Sequence, residues 1–232
     1  MPSFLDRVVE FSDGISYQLL QPLTTFRHCH DGTPAEGRIV YTCSRIDSSI
    51  ACSDEYIMKI KAQVPGKESD PAADPEAVSS NTTRAELKAL EIFRGTGSEH
   101  VPHLVHYKQA TQGPDGPLPG GYLTFTVMTK MPGDSLHNLY YWGMPADERE
   151  VIVKEFLVAL RSIYAMGIEP IDCALRNVLW EAGKRRCTII DFELWRAAEK
   201  TFTDEVKELQ RWGLARQPAA KDHWAAWNAQ FR

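Results

Sequence analysis

The residues of this chain with the clearest chemical potential are three polar side chains between positions 172 and 191. Asp172 is followed five positions later by Asn177, and Asp191 comes after two short apolar runs that flank a turn at 181–184. A carboxylate can accept the proton of an attacking hydroxyl, while an amide oxygen and a second carboxylate are ligands that Mg²⁺ accepts. The apolar runs predict a β-hairpin that brings these groups to one cleft, although an ordinary hairpin with two surface aspartates has the same pattern.

This order of residues resembles the catalytic and metal-binding loops of the protein-kinase-like superfamily. The chain resembles most closely the small kinase-like proteins of fungi and the aminoglycoside and choline phosphotransferases. The resemblance implies that Asp172 is the catalytic aspartate and that Asn177 and Asp191 bind Mg²⁺. It also implies an α+β, two-lobed kinase-like fold with a shortened C-lobe, in which residues 1–130 form the N-lobe and residues 131–232 a reduced, mostly helical C-lobe.

Several positions depart from the pattern of that superfamily. Positions 170–171 are Pro-Ile where the superfamily has His-Arg, Ala174 stands in place of a lysine, and Glu193 replaces the glycine that follows Asp-Phe. A Gly-rich loop over the phosphates is also missing, because Gly32 and Gly37 are far apart and a proline lies between them. These departures leave open a pseudokinase that serves as an adaptor.

The segment 55–62 predicts a strand of the N-lobe. Alternation with a period of two places Ile57, Lys59 and Lys61 on one face of this strand. By the resemblance, Lys59 would bind the phosphates of a nucleotide and Ile57 would lie beside it over the base. The alternative is a strand with two solvated lysines on an open face.

A helix is predicted to begin at Thr83, with its buried apolar stripe in 87–93. Thr83 and Glu86 fit a capping box, in which the Glu86 carboxylate reaches back to the amide of the cap residue. The resemblance implies a different role for Glu86, an ion pair with Lys59, for which Glu91 is the second choice. Capping and pairing compete for the same side chain.

Two further segments support the predicted architecture. Residues 122–128 predict a strong strand, and the resemblance implies that backbone groups near Met128 and Lys130 bind the adenine of the cofactor. Residues 146–166 predict the clearest helix, with acidic residues in its first turn and Gly167 ending it as a C-cap glycine.

The connecting segments have weaker patterns. The segment 64–82 is rich in Pro, Ala, Ser and acidic residues and predicts a mobile linker that is dispensable for folding. A turn is predicted at 30–37 and a strand at 38–44. Near the end of the chain, a short helix is predicted at 202–209, followed by aromatic residues with helical spacing in 224–231.

Composition limits the classes of function. The net charge of −5 argues against broad nucleic-acid binding, which depends on neutralising phosphates, so no DNA partner is expected. No segment approaches the length of a membrane span and the first residues lack the apolar core of a signal peptide, so no membrane partner is expected. Five cysteines without regular spacing predict free thiols and a cytoplasmic location.

Four functions are compatible with these residues. The simplest is an ATP- and Mg-dependent phosphotransferase that acts on a small molecule, with Lys59 on the phosphates and Asp172 as the base. A pseudokinase adaptor is the second. A weaker resemblance indicates a third, a fungal arginine-containing cyclodipeptide synthase of secondary metabolism, whose only cosubstrates are aminoacyl-tRNAs. In such a synthase Asp172, Asp191 or Glu193 would recognise a guanidinium or activate the amine, and tRNA would be a partner. The fourth is a structural protein without a ligand.

Overall fold

The computed structural model describes residues 2–29, 33–46, 54–66, 74–199, 201–202 and 204–215. The chain divides into two compact units, which comprise Met1–Glu91 with His103–Lys130 and Ile92–Pro102 with Met131–Arg232. Secondary structure is mixed α/β, with antiparallel strands and few helices among the described residues. None of the described helices combines the length and the apolar character that a membrane crossing requires.

The first unit is built on a seven-stranded antiparallel sheet. In chain order the strands are β1 (Val8–Glu10), β2 (Ser16–Pro22), β3 (Arg27–Cys29), β4 (Glu36–Ile46), β5 (Glu55–Gln63), β6 (Leu104–Thr111) and β7 (Tyr122–Thr129). Their hydrogen-bonded order is β1-β2-β4-β5-β7-β6, and β3 pairs with β4. Strand β5 therefore lies inside the sheet, between β4 and β7.

Alternation along β5 separates the apolar core from an ionisable face. Met58 and Ile60 belong to a hydrophobic core to which β2, β4 and β7 also contribute. Lys59 and Lys61 point to the other face, yet they are only 8% and 2% exposed. The predicted strand and its phase are confirmed, whereas the alternative of two solvated lysines is wrong, because both side chains are covered and ion-paired.

Helix α1 (Asn81–Arg94) begins two residues before the predicted start at Thr83. Ser80 caps it, because its Oγ accepts a hydrogen bond from the Thr83 N–H at 3.1 Å. The Ser80 carbonyl also accepts the first intrahelical bond, from the Arg84 N–H. The predicted capping box is therefore wrong: a serine provides the cap, and Glu86 forms ion pairs with strand lysines instead.

The segment 64–82 is not a free linker where the structure describes it. Ser80 is fully buried, and the Gln63 side chain accepts a hydrogen bond from the Glu76 N–H at 2.8 Å. These contacts hold the second part of the segment against the sheet, so it is packed there rather than mobile, and its dispensability for folding stays a prediction. Residues 67–73 lie outside the described residues.

Strand β4 is longer than the sequence predicted. It runs from Glu36 to Ile46 rather than over 38–44, and it takes in the end of the predicted turn at 30–37. The extension is explained by pairing on both sides, since Glu36 lies opposite Cys29 of β3 and opposite Gln63 of β5. This places the Glu36 carboxylate in the sheet rather than in a solvated loop.

The second unit combines helices with short strands. Its elements in chain order are β8 (Asp134–Ser135), α2 (Ala146–Ala165), β9 (Ile168–Pro170), β10 (Val178–Glu181), β11 (Arg186–Ile189), β12 (Trp195–Ala197) and α3 (Glu205–Arg211). Strand β10 pairs with both β11 and β8, while β9 pairs with β12. The β10–β11 hairpin confirms the hairpin predicted after Asn177.

Helix α2 matches its prediction, because it carries acidic residues in its first turn and an apolar buried face. Gly167 follows it with a φ of 79°, and its N–H donates to the Tyr164 carbonyl at 2.8 Å. A left-handed φ of this size is the conformation in which glycine is favoured after a helix. The predicted C-cap glycine is confirmed.

Helix α3 begins later than the predicted 202–209. Asp204 determines the start, since its carboxylate accepts the Lys207 N–H at 2.9 Å and so caps the helix. The aromatic residues of 224–231 lie outside the described residues.

Candidate functional site

In the first unit, the functional residues implied by the resemblance are Lys59, Glu86, Met128 and Lys130. The Lys59 ammonium lies 2.5 Å from the Glu86 carboxylate, which brings strand β5 and helix α1 together at this point. Both side chains are more than nine-tenths buried, so the pair is shielded from solvent. The ion pair implied by the resemblance forms, and Glu86 rather than Glu91 provides its carboxylate.

A second buried ion pair lies beside the first, and sequence reasoning missed it. Lys61 Nζ is 3.1 Å from Glu36 Oε1 and 3.8 Å from Glu86 Oε2. Glu36 is only 1% exposed. The sequence indicated one partner of this pair, because Lys61 shares a strand face with Lys59. It did not indicate the other, because Glu36 lay in a predicted turn.

Hydroxyl groups saturate the Glu36 carboxylate. Ser80, Thr82 and Thr83 donate to it at 2.7, 3.0 and 2.9 Å, and the Tyr122 hydroxyl donates at 3.1 Å. Burial raises the pKa of Glu36, but the Lys61 ammonium and the hydroxyls of Ser80 and Thr83 lower it by more, so the pKa lies below its ordinary value. Glu36 is therefore an ionised carboxylate inside the protein.

The region implied to bind adenine is the end of β7. Met128 is buried and lies opposite Ile57 of β5 and Leu104 of β6. The neighbouring Thr129 N–H donates to the His103 carbonyl at 3.0 Å, so this donor is already used. The Lys130 side chain forms a surface ion pair with Glu55.

In the second unit, Asp172 is held by residues of its own loop. Arg176 Nη2 donates to both carboxylate oxygens, at 2.7 and 2.6 Å. The Asn177 amide nitrogen donates to the Asp172 carbonyl at 2.9 Å and to its Oδ2 at 3.2 Å. The carboxylate therefore has a fixed orientation while it stays partly exposed.

Asp191 lies beside Asn177 because of the hairpin. The Ile190 N–H donates to the Asn177 carbonyl at 2.9 Å, immediately before Asp191 in the chain. Asp191 has a φ of 67°, a left-handed conformation that costs most non-glycine residues about 1–2 kcal/mol. Such strain in a partly exposed carboxylate is typical of functional positions. Glu193, two residues on, is buried at 8% exposure.

The donor set of this loop suits a hard divalent cation. Since the Asn177 amide nitrogen is engaged by Asp172, its Oδ1 is the atom that can face a cation, and Asp191 supplies a carboxylate. Mg²⁺ prefers such oxygen ligands and usually keeps several waters or phosphate oxygens besides. Asn177 and Asp191 thus fit a magnesium ion as far as their chemistry is concerned.

Arg211 supports the strand that leads into the Asp172 loop, and sequence reasoning missed it. Its Nη2 donates to the Pro170 carbonyl at 2.8 Å, while Nη1 donates to both oxygens of Glu208 at 2.8 and 2.9 Å. Nη1 also lies 3.2 Å from Glu169 Oε1. The side chain of Arg211 is 12% exposed, so helix α3 fixes β9 through a largely buried guanidinium.

Comparison with known proteins adds a distant structural likeness. No protein-family model matches the sequence, and no curated protein matches it either. Among solved structures, the chain is similar to the kinase PK-1 of Cydia pomonella granulovirus, with 15% sequence identity and a TM-score of 0.49 over 78% of this chain. The match covers 52% of that kinase, so the chain spans about half of its length.

Proposed function

We propose that this protein is a phosphotransferase with a two-lobed, kinase-like fold, which transfers a phosphoryl group from ATP to a hydroxyl of a small molecule. The observation that carries the proposal is the buried ion pair between Lys59 and Glu86. An ammonium held on an interior strand by a helix carboxylate is the arrangement with which kinases bind nucleotide phosphates.

The proposal assigns the transfer step to the loop of the second unit. The substrate hydroxyl oxygen attacks the γ-phosphorus, the bond from that phosphorus to the β–γ bridging oxygen breaks, and ADP leaves. Asp172 accepts the hydroxyl proton, and Arg176 holds the carboxylate in the orientation that receives it. Mg²⁺, held by Asn177 and Asp191, would supply charge stabilisation for the phosphates when bound.

A thermal-shift series with ATP and MgCl₂ tests the nucleotide site. Ligand at about 100 times its dissociation constant stabilises a protein by about 2.7 kcal/mol, which is readily measured. Lys59→Met should abolish the shift and still fold, because Glu86 retains Lys61 at 3.8 Å as a cationic neighbour. Lys108→Met is the matched control, because this lysine of the same sheet donates to the Glu10 carbonyl at 2.8 Å and lies over the Phe125 ring.

The outcomes separate the candidate functions. A shift with ATP that requires Mg²⁺, together with a new phosphoester in metabolites of a host expressing the chain, supports the phosphotransferase. A shift without any turnover would identify a nucleotide-binding adaptor. No shift at all, with Lys59→Met behaving like the wild type, contradicts the proposal.

A further inference from the structure

We infer that the buried ion pair of Glu36 with Lys61 holds the Glu86 carboxylate in place. In that place, Glu86 fixes the ammonium of Lys59, so the inference rests on the proposed nucleotide site. Glu36 and Lys61 are positioning residues in this view, since neither would touch the nucleotide. Three contacts on the same face of the sheet support it.

The first contact, made by three hydroxyls together, ties the start of helix α1 to the sheet. Hydroxyls of Ser80, Thr82 and Thr83 all donate to Glu36, at 2.7, 3.0 and 2.9 Å. A carboxylate at the N-terminus of a helix also interacts favourably with the helix dipole. Since Glu86 follows these residues within two helical turns, the anchored start of the helix determines where its side chain lies.

The second and third contacts fix the orientation of the Glu86 carboxylate. Its Oε1 is 2.5 Å from Lys59 Nζ, and its Oε2 is 3.8 Å from Lys61 Nζ. Each oxygen thus faces a different lysine, and Lys61 is itself held by Glu36 at 3.1 Å. Rotating Glu86 away from Lys59 would therefore also disturb its contact with Lys61.

The four charges balance, two positive and two negative, within a region where all four residues are less than a tenth exposed. Buried charges tolerate the loss of one partner poorly, because the remaining charge is left without compensation. A shift of helix α1 away from the sheet would separate Glu36 from three hydroxyls and Glu86 from two ammonium groups. The network consequently favours one position of the helix.

The decisive variant removes both positioning charges together. Lys61→Met alone leaves Glu36 as an unpaired buried carboxylate and is expected to lower the yield of soluble protein. The double variant Glu36→Gln/Lys61→Met is neutral and keeps similar side-chain volumes. We expect its Michaelis constant for ATP to rise about 10- to 100-fold, by analogy with the loss caused by removing a hydrogen-bond partner of a metal ligand, while kcat stays nearly unchanged.

Two readouts do not depend on the proposed activity. Acylation of Lys59 by an N-hydroxysuccinimide ester, followed by peptide mass spectrometry, should be faster in the double variant because the ammonium is less firmly held. Hydrogen exchange of the α1 amides should accelerate, while that of the α2 amides stays as in the wild type. If the wild type neither binds nor uses ATP, the proposed function fails, and these two readouts alone decide the inference.

Met58→Ala is the matched control, because Met58 lies on the same strand but on the opposite, apolar face. It should lower the melting temperature without raising the Michaelis constant or the acylation rate of Lys59. Equal effects of the control and the double variant on these quantities would overturn the inference. So would a double variant with wild-type kinetics, acylation and exchange. The single variant Lys61→Arg keeps the cation and should therefore retain the wild-type Michaelis constant, acylation rate and hydrogen exchange.

Discussion

The carboxylate of Asp172 is held by a guanidinium and an amide of the same loop, at 2.6–3.2 Å. Arg176 and Asn177 are four and five positions further along the chain, so the loop closes on itself without help from distant segments. Such a side chain has little freedom to reorient, which favours its use as a proton acceptor at a fixed position.

Asp172→Asn should abolish phosphoryl transfer and leave the fold intact. An amide cannot accept the hydroxyl proton, and removal of a general base typically costs about 10²–10⁴ in rate. The lost ion pair with the partly exposed Arg176 should cost at most about 1 kcal/mol in the free energy of unfolding. Product formation and urea unfolding measure the two quantities, and Glu150→Gln, an exposed change on α2, is the control. Full activity of Asp172→Asn would exclude this residue as the base.

The ionised Glu36 should make stability depend on pH. Its pKa in the folded protein lies below the ordinary value of 4.5, so the unfolded chain takes up a proton first as the pH falls. The resulting stabilisation is fully present above about 4.5 and is lost as the pH falls through the lower, folded pKa.

Glu36→Gln should therefore be less stable than the wild type at pH 7, and the difference should shrink below pH 4.5. Urea unfolding between pH 7 and pH 3 measures it, with the surface variant Glu55→Gln as a control. A difference between wild type and Glu36→Gln that stays constant over this range would show that folding does not lower the pKa of Glu36.

At the scale of elements, the strands and helices with strong periodicity were predictable. The alternation of β5, helix α2 and the β10–β11 hairpin follow from local patterns in the sequence. The start of α1 was not predictable in this way, because Thr83 and Glu86 fit a local capping rule that a buried ion pair overrides. A local capping rule cannot show that Glu86 pairs with Lys59, which lies on a strand distant in the sequence.

The segment 64–82 was mispredicted for a related reason. Its composition is that of a linker, yet Ser80 is buried, and Glu36 of the sheet accepts a hydrogen bond from its hydroxyl. Within the loops of the candidate site, Arg176 lies close in sequence to Asp172, whereas Arg211 reaches Pro170 from another helix. Long-range polar contacts of this kind leave no periodic trace in a single sequence.

Arg211→Met should destabilise the protein by about 3–5 kcal/mol, because it leaves the buried Glu208 and the neighbouring Glu169 without their shared cation. Urea unfolding gives the value, and the double variant Arg211→Met/Glu208→Gln should recover part of it. The matched control is Arg161→Met, which removes an exposed ion pair between α2 and α3 and should cost at most about 1 kcal/mol. Equal losses for the two arginines would contradict a buried role for Arg211.

At the scale of the whole molecule, charge bears on the choice of substrate. The net charge of −5 gives no general attraction for polyanions, whereas a nucleotide needs only a local cation such as Lys59. The activity of an enzyme that uses aminoacyl-tRNA should therefore depend on RNA, and its tRNA binding on salt, whereas the activity of a small-molecule phosphotransferase should not depend on RNA.

Treatment with ribonuclease should leave the activity of the purified protein unchanged, and added tRNA should show no salt-dependent binding in a gel-shift assay. A tRNA-dependent synthase would instead lose its activity with ribonuclease and bind charged tRNA less tightly as salt rises. Metabolite profiling of the expressing host provides the complementary measurement, since it separates a phosphoester from a cyclic dipeptide. Loss of activity on ribonuclease treatment would favour the synthase.

The shared carboxylate of Glu86 also constrains how this protein can evolve. Because Lys59 and Lys61 both contact it, and Lys61 contacts Glu36, a replacement at one of these positions changes the fitness of replacements at the others. Strong epistasis is the consequence: Glu36 and Lys61 should be exchanged together in descendants of this sequence, through a compensatory second mutation that follows quickly on the first. A lineage without the proposed nucleotide binding would be expected to lose Lys59 more readily than either member of that pair.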